Sequence, residues 1–242
     1  MSPQADPFTQ RKLLDLAATD RAADTAAHRR RSLPELAVIE SGTKQLTELR
    51  AAVVVAETEV GDLDREGRRL DNEIDQVRAR SKRDRDRLAA GSGTPRELES
   101  LQHEIESLDR RQGVLEDEAL ELMERRETAD AALSAAAQAR QLVLDEVATA
   151  EQRRDDAFAN LDGELARLRV QRAEQAGPLP SDLLALYERI RGTGRVAAAE
   201  LVGNQCGACR VELDRVAFNA ARAAPVDTVV RCENCGAILV RN

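Results

Sequence analysis

The sequence of 242 residues contains no tryptophan and only four aromatic side chains, Phe8, Phe158, Tyr187 and Phe218. A compact domain of this length normally fills its core with aromatic rings, each of which buries a large area. The apolar content is mostly alanine, leucine and valine, and 33% of the residues are charged, well above the usual quarter. This composition indicates long helices with narrow apolar seams, and it argues against an ordinary globular enzyme.

Two further absences bear on location and partners. The sequence has no run of 18 apolar residues, and its first 20 residues are polar and charged, so we expect no membrane contact, no secretory signal and a cytoplasmic location. The chain has 36 basic and 44 acidic residues, for a net charge of -8. This modest acidity does not favour wholesale binding of nucleic acid.

A heptad repeat runs through the middle of the sequence. Apolar residues recur at steps of three and four from Leu46 to Leu88, with polar interruptions at Ser81 and Asp84. This spacing is typical of a coiled-coil helix. A second seam of the same spacing starts at Leu98 and fades beyond residue 150. The two seams predict two long helices.

Both seams fit one antiparallel register. If the chain folds back at residue 93, Val77 lies opposite Leu108 and Leu70 lies opposite Leu115. The same offset aligns the rest of the two seams. We therefore expect an intramolecular hairpin that forms a rod.

Glycine and proline mark the ends of the predicted helices. A turn is expected at residues 91–95, where glycines end one helix and Thr94 with Glu97 forms a capping box for the next. Pro34 predicts a break near residues 32–34, because proline lacks the amide donor. Ser41-Gly42 is expected to weaken the helix again.

The predicted fold is mostly α, with a long antiparallel coiled-coil hairpin followed by a small C-terminal C4 zinc ribbon. We assign residues 1–176 to the hairpin and residues 177–242 to a short helix and the ribbon. Ser181 is expected to cap that short helix, which runs over 182–191. The ribbon is close to neutral, with six arginines and five acidic residues from 192 to 242.

The four cysteines form the one strong chemical motif, two C-x2-C pairs separated by 22 residues. Four thiolates at this spacing complete a tetrahedral zinc shell, whereas catalytic zinc usually keeps one position for water. The alternative is free or disulfide-bonded cysteines, which a reducing cytoplasm disfavours. We therefore predict one structural Zn²⁺, no catalytic residue and no other cofactor. The predicted metal ligands are Cys206, Cys209, Cys232 and Cys235.

A basic cluster lies beside the predicted turn. Residues 78–96 carry seven basic side chains against Asp84 and Asp86. This cluster could contact nucleic acid or an acidic protein. The simpler interpretation is pairing across the hairpin with acids of the second helix, such as Glu104 and Asp109. The two aspartates also suggest a weaker alternative, in which the tip enters the secondary channel of RNA polymerase.

The region from Leu179 to Asn242 resembles bacterial coiled-coil hairpin proteins with a C-terminal C4-type zinc ribbon. The resemblance rests on residues 183–191, the Gly192/Gly194 turn, Cys206-Gly207-Ala208-Cys209 and residues 231–239. It implies a non-enzymatic adaptor or regulator, associated in flagellated bacteria with sigma-54, flagellin mRNA or secretion components. This chain has Ala237 where the family often has Arg, and Val240 where it often has Tyr. We expect both differences to weaken an inherited nucleic-acid surface.

Two functions remain open from the sequence. The first is a zinc-binding adaptor or regulator that uses the coiled coil and the ribbon to bind proteins. The second is a DNA- or RNA-binding or RNA-polymerase-associated regulator that uses the ribbon or the basic tip. The near-neutral ribbon favours the first, with protein partners and no enzymatic activity.

Overall fold

A computed structural model of the protein describes residues 3–91 and 93–241, so Ser92 in the predicted turn lies outside the described residues. The predicted fold class is confirmed, since two long antiparallel helices dominate the chain and a small sheet region follows them. No helix in the described part of the chain is both long and apolar enough to cross a membrane. The elements in order are α1 (Pro7–Arg31), α2 (Pro34–Ala89), α3 (Pro95–Ala176), α4 (Ser181–Arg191), β1 (Ala198–Val202), β2 (Gln205–Cys206), α5 (Arg215–Ala223), β3 (Val230–Arg231) and β4 (Ile238–Val240).

The chain forms two compact units. The hairpin unit comprises Ala37–Glu151, and the ribbon unit comprises Met1–Leu36 with Gln152–Asn242. The sequence-based division into 1–176 and 177–242 follows the character of the sequence, and it stays a prediction. The predicted break near residues 32–34 is confirmed, because α1 ends at Arg31 and α2 begins at Pro34.

The hairpin unit is held by the two predicted seams. Leu63, Leu70 and Ile74 of α2 form one buried cluster with Leu115 and Leu122 of α3. Interdigitated aliphatic side chains of this kind supply most of the stability of a coiled coil. The cluster therefore confirms the antiparallel pairing that the register predicted.

The turn between α2 and α3 has the predicted chemistry. Gly91 takes a left-handed backbone with φ 61°, which costs glycine nothing. The carboxylate of Glu97 accepts a hydrogen bond from the Thr94 N–H at 2.7 Å, and the Glu97 N–H donates back to the Thr94 hydroxyl at 3.4 Å. The predicted capping box at the start of α3 is therefore present.

The helix α2 continues unbroken through Ser41 and Gly42, where the sequence predicted a weaker helix, so that weakening stays a prediction. Gly42 is buried against α3. A Cβ placed on it would lie 2.4 Å from Cγ2 of Val147. Glycine at this position allows the two helices to approach closely, so its role is packing and not helix termination.

The ribbon unit has its own core, in which α1 packs on the sheet. Leu13 and Leu16 of α1 are fully buried together with Leu183 and Tyr187 of α4 and Ile238 of β4. The sheet has the order β2-β1-β4-β3, with β1 parallel to β4 and the other pairs antiparallel. This core holds the strands that carry the second half of the cysteine motif.

A buried carboxylate joins three helices of the ribbon unit. Asp20 of α1, with 2% of its surface exposed, accepts hydrogen bonds from Nε of Arg172 at 2.7 Å and from the Tyr187 hydroxyl at 2.7 Å. Arg191 also lies 3.1 Å from the Asp20 carboxylate. Burial is the largest cause that raises the pKa of Tyr187, so the hydroxyl stays protonated and continues to donate to Asp20.

The expected cap of α4 is wrong. Ser181 is the first residue of the helix, and Pro180 occupies the N-cap position without a side-chain hydrogen bond. The Leu184 N–H bonds to the Pro180 carbonyl at 2.9 Å, as a helix requires of the residue at its N-cap.

Candidate metal centre

Two tight turns carry the four cysteines. Cys206 ends β2, and the chain turns through Cys209 before α5 begins. Cys232 follows β3, and the chain turns through Cys235 before β4. Pairing of β1 with both β2 and β4 brings the two turns together. The sheet therefore does what the spacing predicted, since each C-x2-C segment presents two sulfurs to one place.

The sulfur geometry fits a tetrahedral zinc ion. All four Sγ atoms lie within 4.8 Å of one another. The Cys206 and Cys235 sulfurs are 3.8 Å apart, and the Cys209 and Cys232 sulfurs are 3.9 Å apart. A tetrahedron with Zn–S bonds of about 2.3 Å has sulfur–sulfur edges of about 3.8 Å. The donor set and its spacing therefore fit one structural Zn²⁺.

Both turns close with the same hydrogen bond. The Arg210 N–H donates to the Cys206 carbonyl at 2.8 Å, and the Gly236 N–H donates to the Cys232 carbonyl at 2.8 Å. Arg210 and Gly236 therefore occupy equivalent positions, and both have a positive φ, 59° and 79°. Glycine adopts this conformation freely, whereas arginine does so at a cost in free energy. Nothing in the sequence indicates that residue 210 adopts a positive φ.

The first turn also needs a glycine for space. A Cβ on Gly207 would lie 2.8 Å from the carbonyl oxygen of Glu200 in β1. The Gly207 N–H donates to that same oxygen at 2.9 Å. The first turn therefore lies directly against β1, and this contact sets the position of its two sulfurs.

Burial makes two of the four thiolates unfavourable unless a cation lies beside them. Burial raises the pKa of the Cys206 thiol and raises that of Cys235 to about 12, so buried thiolates here need a cation nearby. A backbone hydrogen bond from Val211 is the main cause that lowers the pKa of Cys209. Zinc supplies the missing positive charge, and its binding adds directly to the folding free energy of the ribbon.

A small apolar shell surrounds the sulfurs. Leu213 and Leu239 are buried with Cys206 and Cys232, and Phe218 packs against them. The sequence predicted the cysteines but not this shell, because its members are far apart along the chain. With so few apolar side chains, the metal supplies much of the stability of this region.

The two differences from the family pattern lie inside the ribbon. Ala237 and Val240 are fully buried, and the Ala237 carbonyl accepts a hydrogen bond from the Cys232 N–H at 2.8 Å. Neither side chain therefore contributes to a surface in this protein, and the expectation that the two differences weaken a nucleic-acid surface stays a prediction.

Comparison with known proteins agrees with this architecture. Residues 16–195 match the CT398-like coiled coil hairpin domain, and residues 205–239 match the C4-type zinc ribbon domain. The uncharacterized protein Rv2229c of Mycobacterium tuberculosis (strain ATCC 25618 / H37Rv) is 39% identical over 232 residues, which are 96% of this chain and 95% of that protein.

Solved structures extend the likeness to three dimensions. A protein of Mycobacterium smegmatis is 36% identical and superposes with a TM-score of 0.84, over 99% of this chain and 100% of that one. CT398 of Chlamydia trachomatis is 19% identical with a TM-score of 0.58, over 97% and 95% of the two chains, and shares the fold. This chain therefore belongs to the family of CT398-like coiled-coil hairpin proteins, and its hairpin is followed by a C4-type zinc ribbon.

Proposed function

We propose that this protein is a non-enzymatic zinc-binding adaptor that docks other proteins on its hairpin unit and on its ribbon unit. The observation that carries the proposal is a set of large apolar side chains left exposed on each unit. Val55 of the hairpin unit is 67% exposed, and Phe8 of the ribbon unit is 69% exposed. Such surfaces, when grouped and surrounded by polar residues, are typical of sites that bind proteins.

On the hairpin unit the exposed side chains are neighbours. Val54 and Val55 line a shallow groove with Glu59 and Asp62. An exposed β-branched residue lowers helix stability relative to alanine, so local helix formation gives no reason for two valines here. Contact with another molecule does give a reason, because it would bury both side chains.

The metal has a structural role in this proposal. Four thiolates fill the zinc shell and leave no position for a water or substrate. The ribbon is then a rigid platform, and we place it in the cytoplasm, where its thiols stay reduced and able to bind zinc.

Charge at the hairpin tip supports protein binding over the nucleic-acid alternative. Arg80 pairs with Glu104 across the hairpin, and Arg85 pairs with Asp109 at 2.7 Å. Of the seven basic residues in 78–96, four make ion pairs. The other three fall short of the six or more uncompensated phosphate contacts, roughly, that strong salt-dependent binding needs. The interpretation of this cluster as cross-hairpin pairing is confirmed for Arg80 and Arg85.

Affinity capture from lysate, with and without nuclease, tests the proposal. We expect partner proteins that survive nuclease and that are lost when Val54 and Val55 are both changed to Ser, or when the ribbon surface is altered. A matched control changes the exposed Val170 to Ser. Sigma-54 and secretion components, which the family resemblance names, are specific candidates to look for. If everything captured disappears after nuclease treatment, the adaptor proposal is wrong and the nucleic-acid function replaces it.

A further inference from the structure

A groove of about 360 Å³ lies on the ribbon unit, between the start of α1, the end of β1 and α5. None of the four cysteines lines it, although Phe218 and Leu201 also pack on the apolar shell of the zinc sulfurs. The residues that matter for its chemistry are Pro7, Arg11, Leu201, Phe218, Arg222 and Val226.

The groove offers apolar contact. Val226 is 71% exposed, and Leu201 and Phe218 lie beside it in the lining. The protein has four aromatic residues in all, and one of them stands in this groove. Aromatic and arginine side chains are enriched at the energetic centres of protein interfaces.

Hydrogen bonds to backbone carbonyls hold the loop that contains Val226 in place. The buried amide of Gln10 donates to the carbonyls of Ala5 at 2.7 Å and Val226 at 3.0 Å. Arg241 donates to four further carbonyls at 2.7–2.8 Å, those of Ala221, Ala224, Pro225 and Thr228. A surface fixed in this way loses little conformational entropy when a partner binds.

The charge of the groove has one sign. Three arginines, Arg11, Arg222 and Arg241, line it, and no acidic residue is among the described residues that do. The ion pairs of the ribbon unit use other arginines, so Arg11 and Arg222 have no acidic partner among the described residues. Arg222 lies over the Phe218 ring with its guanidinium carbon 5.7 Å from the ring centre.

A purely structural role does not account for these arginines. Arg222 lies in the last turn of α5, where a basic residue offsets the helix dipole. Arg241 already bonds to the carbonyls at this end of the helix, so that role is filled. Arg11 lies in the second turn of α1, far from the C-terminal turn in which a basic residue would offset the helix dipole.

The ribbon unit and the hairpin unit differ in net charge. The ribbon unit has 19 basic and 17 acidic residues, and the four thiolates with one Zn²⁺ bring its net charge to about zero, whereas the hairpin unit has 17 basic and 27 acidic residues, for a net charge of -10. An acidic partner is therefore repelled less by the ribbon unit than by the hairpin unit, and the attraction comes from the arginines of the groove.

We propose that this groove binds an acidic segment of a partner protein, which places an apolar side chain against Phe218 and Val226 and carboxylates against Arg11 and Arg222. The inference rests on the adaptor function proposed above and names the chemistry of the partner for the ribbon unit. Charge complementarity and the exposed apolar floor together select this occupant.

Selection of random short peptides displayed on phage, against the full-length zinc-loaded protein, tests the inference. Selected peptides should be rich in Asp and Glu around an apolar residue. Their affinity should fall about tenfold or more in the double variant Arg11→Gln/Arg222→Gln and severalfold in Val226→Thr. It should not change in the control Arg189→Gln, which removes an exposed arginine of α4. Unchanged zinc content and circular dichroism establish that each variant is folded.

Selected peptides without an acidic excess, no enrichment at all, or equal binding by the double variant would overturn the inference. Sedimentation of the protein alone is a second test, because it detects self-association. Self-association that Arg11→Gln/Arg222→Gln abolishes would make a second copy the occupant, and it would contradict the assignment to a separate partner. If capture yields nuclease-resistant partners while peptide selection fails, only the groove inference is wrong and the adaptor proposal stands.

Discussion

Replacing Gly42 by alanine should destabilise the hairpin unit, although helix propensity alone predicts the opposite. Alanine in the interior of a helix is favoured over glycine by about 1 kcal/mol. The Cβ that the substitution adds would lie 2.4 Å from Cγ2 of Val147. Valine in a helix has one strongly preferred rotamer, so Val147 has no low-energy way to rotate aside.

The size of the effect follows from these opposing contributions. Overpacking a tight interface costs about 1–3 kcal/mol, so the net change for Gly42→Ala is a loss of roughly 0–2 kcal/mol after the propensity gain. Gly113→Ala is the matched control, because nothing lies within 4 Å of the Cβ that it adds. It should gain about 1 kcal/mol. The difference between the two variants then measures the clash.

Urea unfolding followed by far-UV circular dichroism measures both variants. The double variant Gly42→Ala/Val147→Ala should show a favourable coupling of at least about 1 kcal/mol, because removing the valine methyls relieves the clash. If Gly42→Ala gains as much stability as Gly113→Ala, the close approach of α2 and α3 at this position is absent and the packing argument is refuted.

Three further changes test the ribbon unit. Asp20→Asn should lower the free energy of unfolding by about 2 kcal/mol in thermal unfolding, because two partly buried arginines lose their shared carboxylate. The control Asp24→Asn, at an exposed position, should lower it by under about 0.5 kcal/mol. Equal losses of stability in the two variants would contradict the network around Asp20. Arg210→Gly should stabilise the zinc-loaded ribbon by about 0.5–1 kcal/mol by removing left-handed strain, and a loss of stability would count against that conformation. Cys232→Ser should abolish zinc binding and the ordered amide resonances of the ribbon. Most of the helical circular dichroism should remain, since the hairpin seam contains no metal ligand. A complete loss of helix would show that the hairpin depends on the metal and would refute the prediction.

Local patterns in the sequence predicted the hairpin and the metal site. The seams were visible because a coiled coil repeats its packing every seven residues, so the register of Leu70 against Leu115 follows from spacing alone. The capping box at Thr94 and the two C-x2-C turns are equally local. Such features are specified by residues close together in the chain.

Long-range packing could not be predicted in the same way. Asp20 appears in the sequence as one more charge on a helix, yet its partners Arg172 and Tyr187 come more than 150 residues later. The contact of Leu13 with Ile238 has no local signal either. The packing role of Gly42 could not be predicted either, because the sequence indicates that glycine weakens a helix but not which side chain of another helix lies against it.

The zinc content of the purified protein, measured together with the order of the ribbon, is the strongest test of the zinc-ribbon assignment. We expect one zinc per chain by elemental analysis, and loss of ordered ribbon amide signals when a strong chelator removes it. The four converging sulfurs leave no ligand for a second ion of the same kind. A protein that is purified without metal from a reducing, zinc-containing medium and still has a fully ordered ribbon would contradict the account.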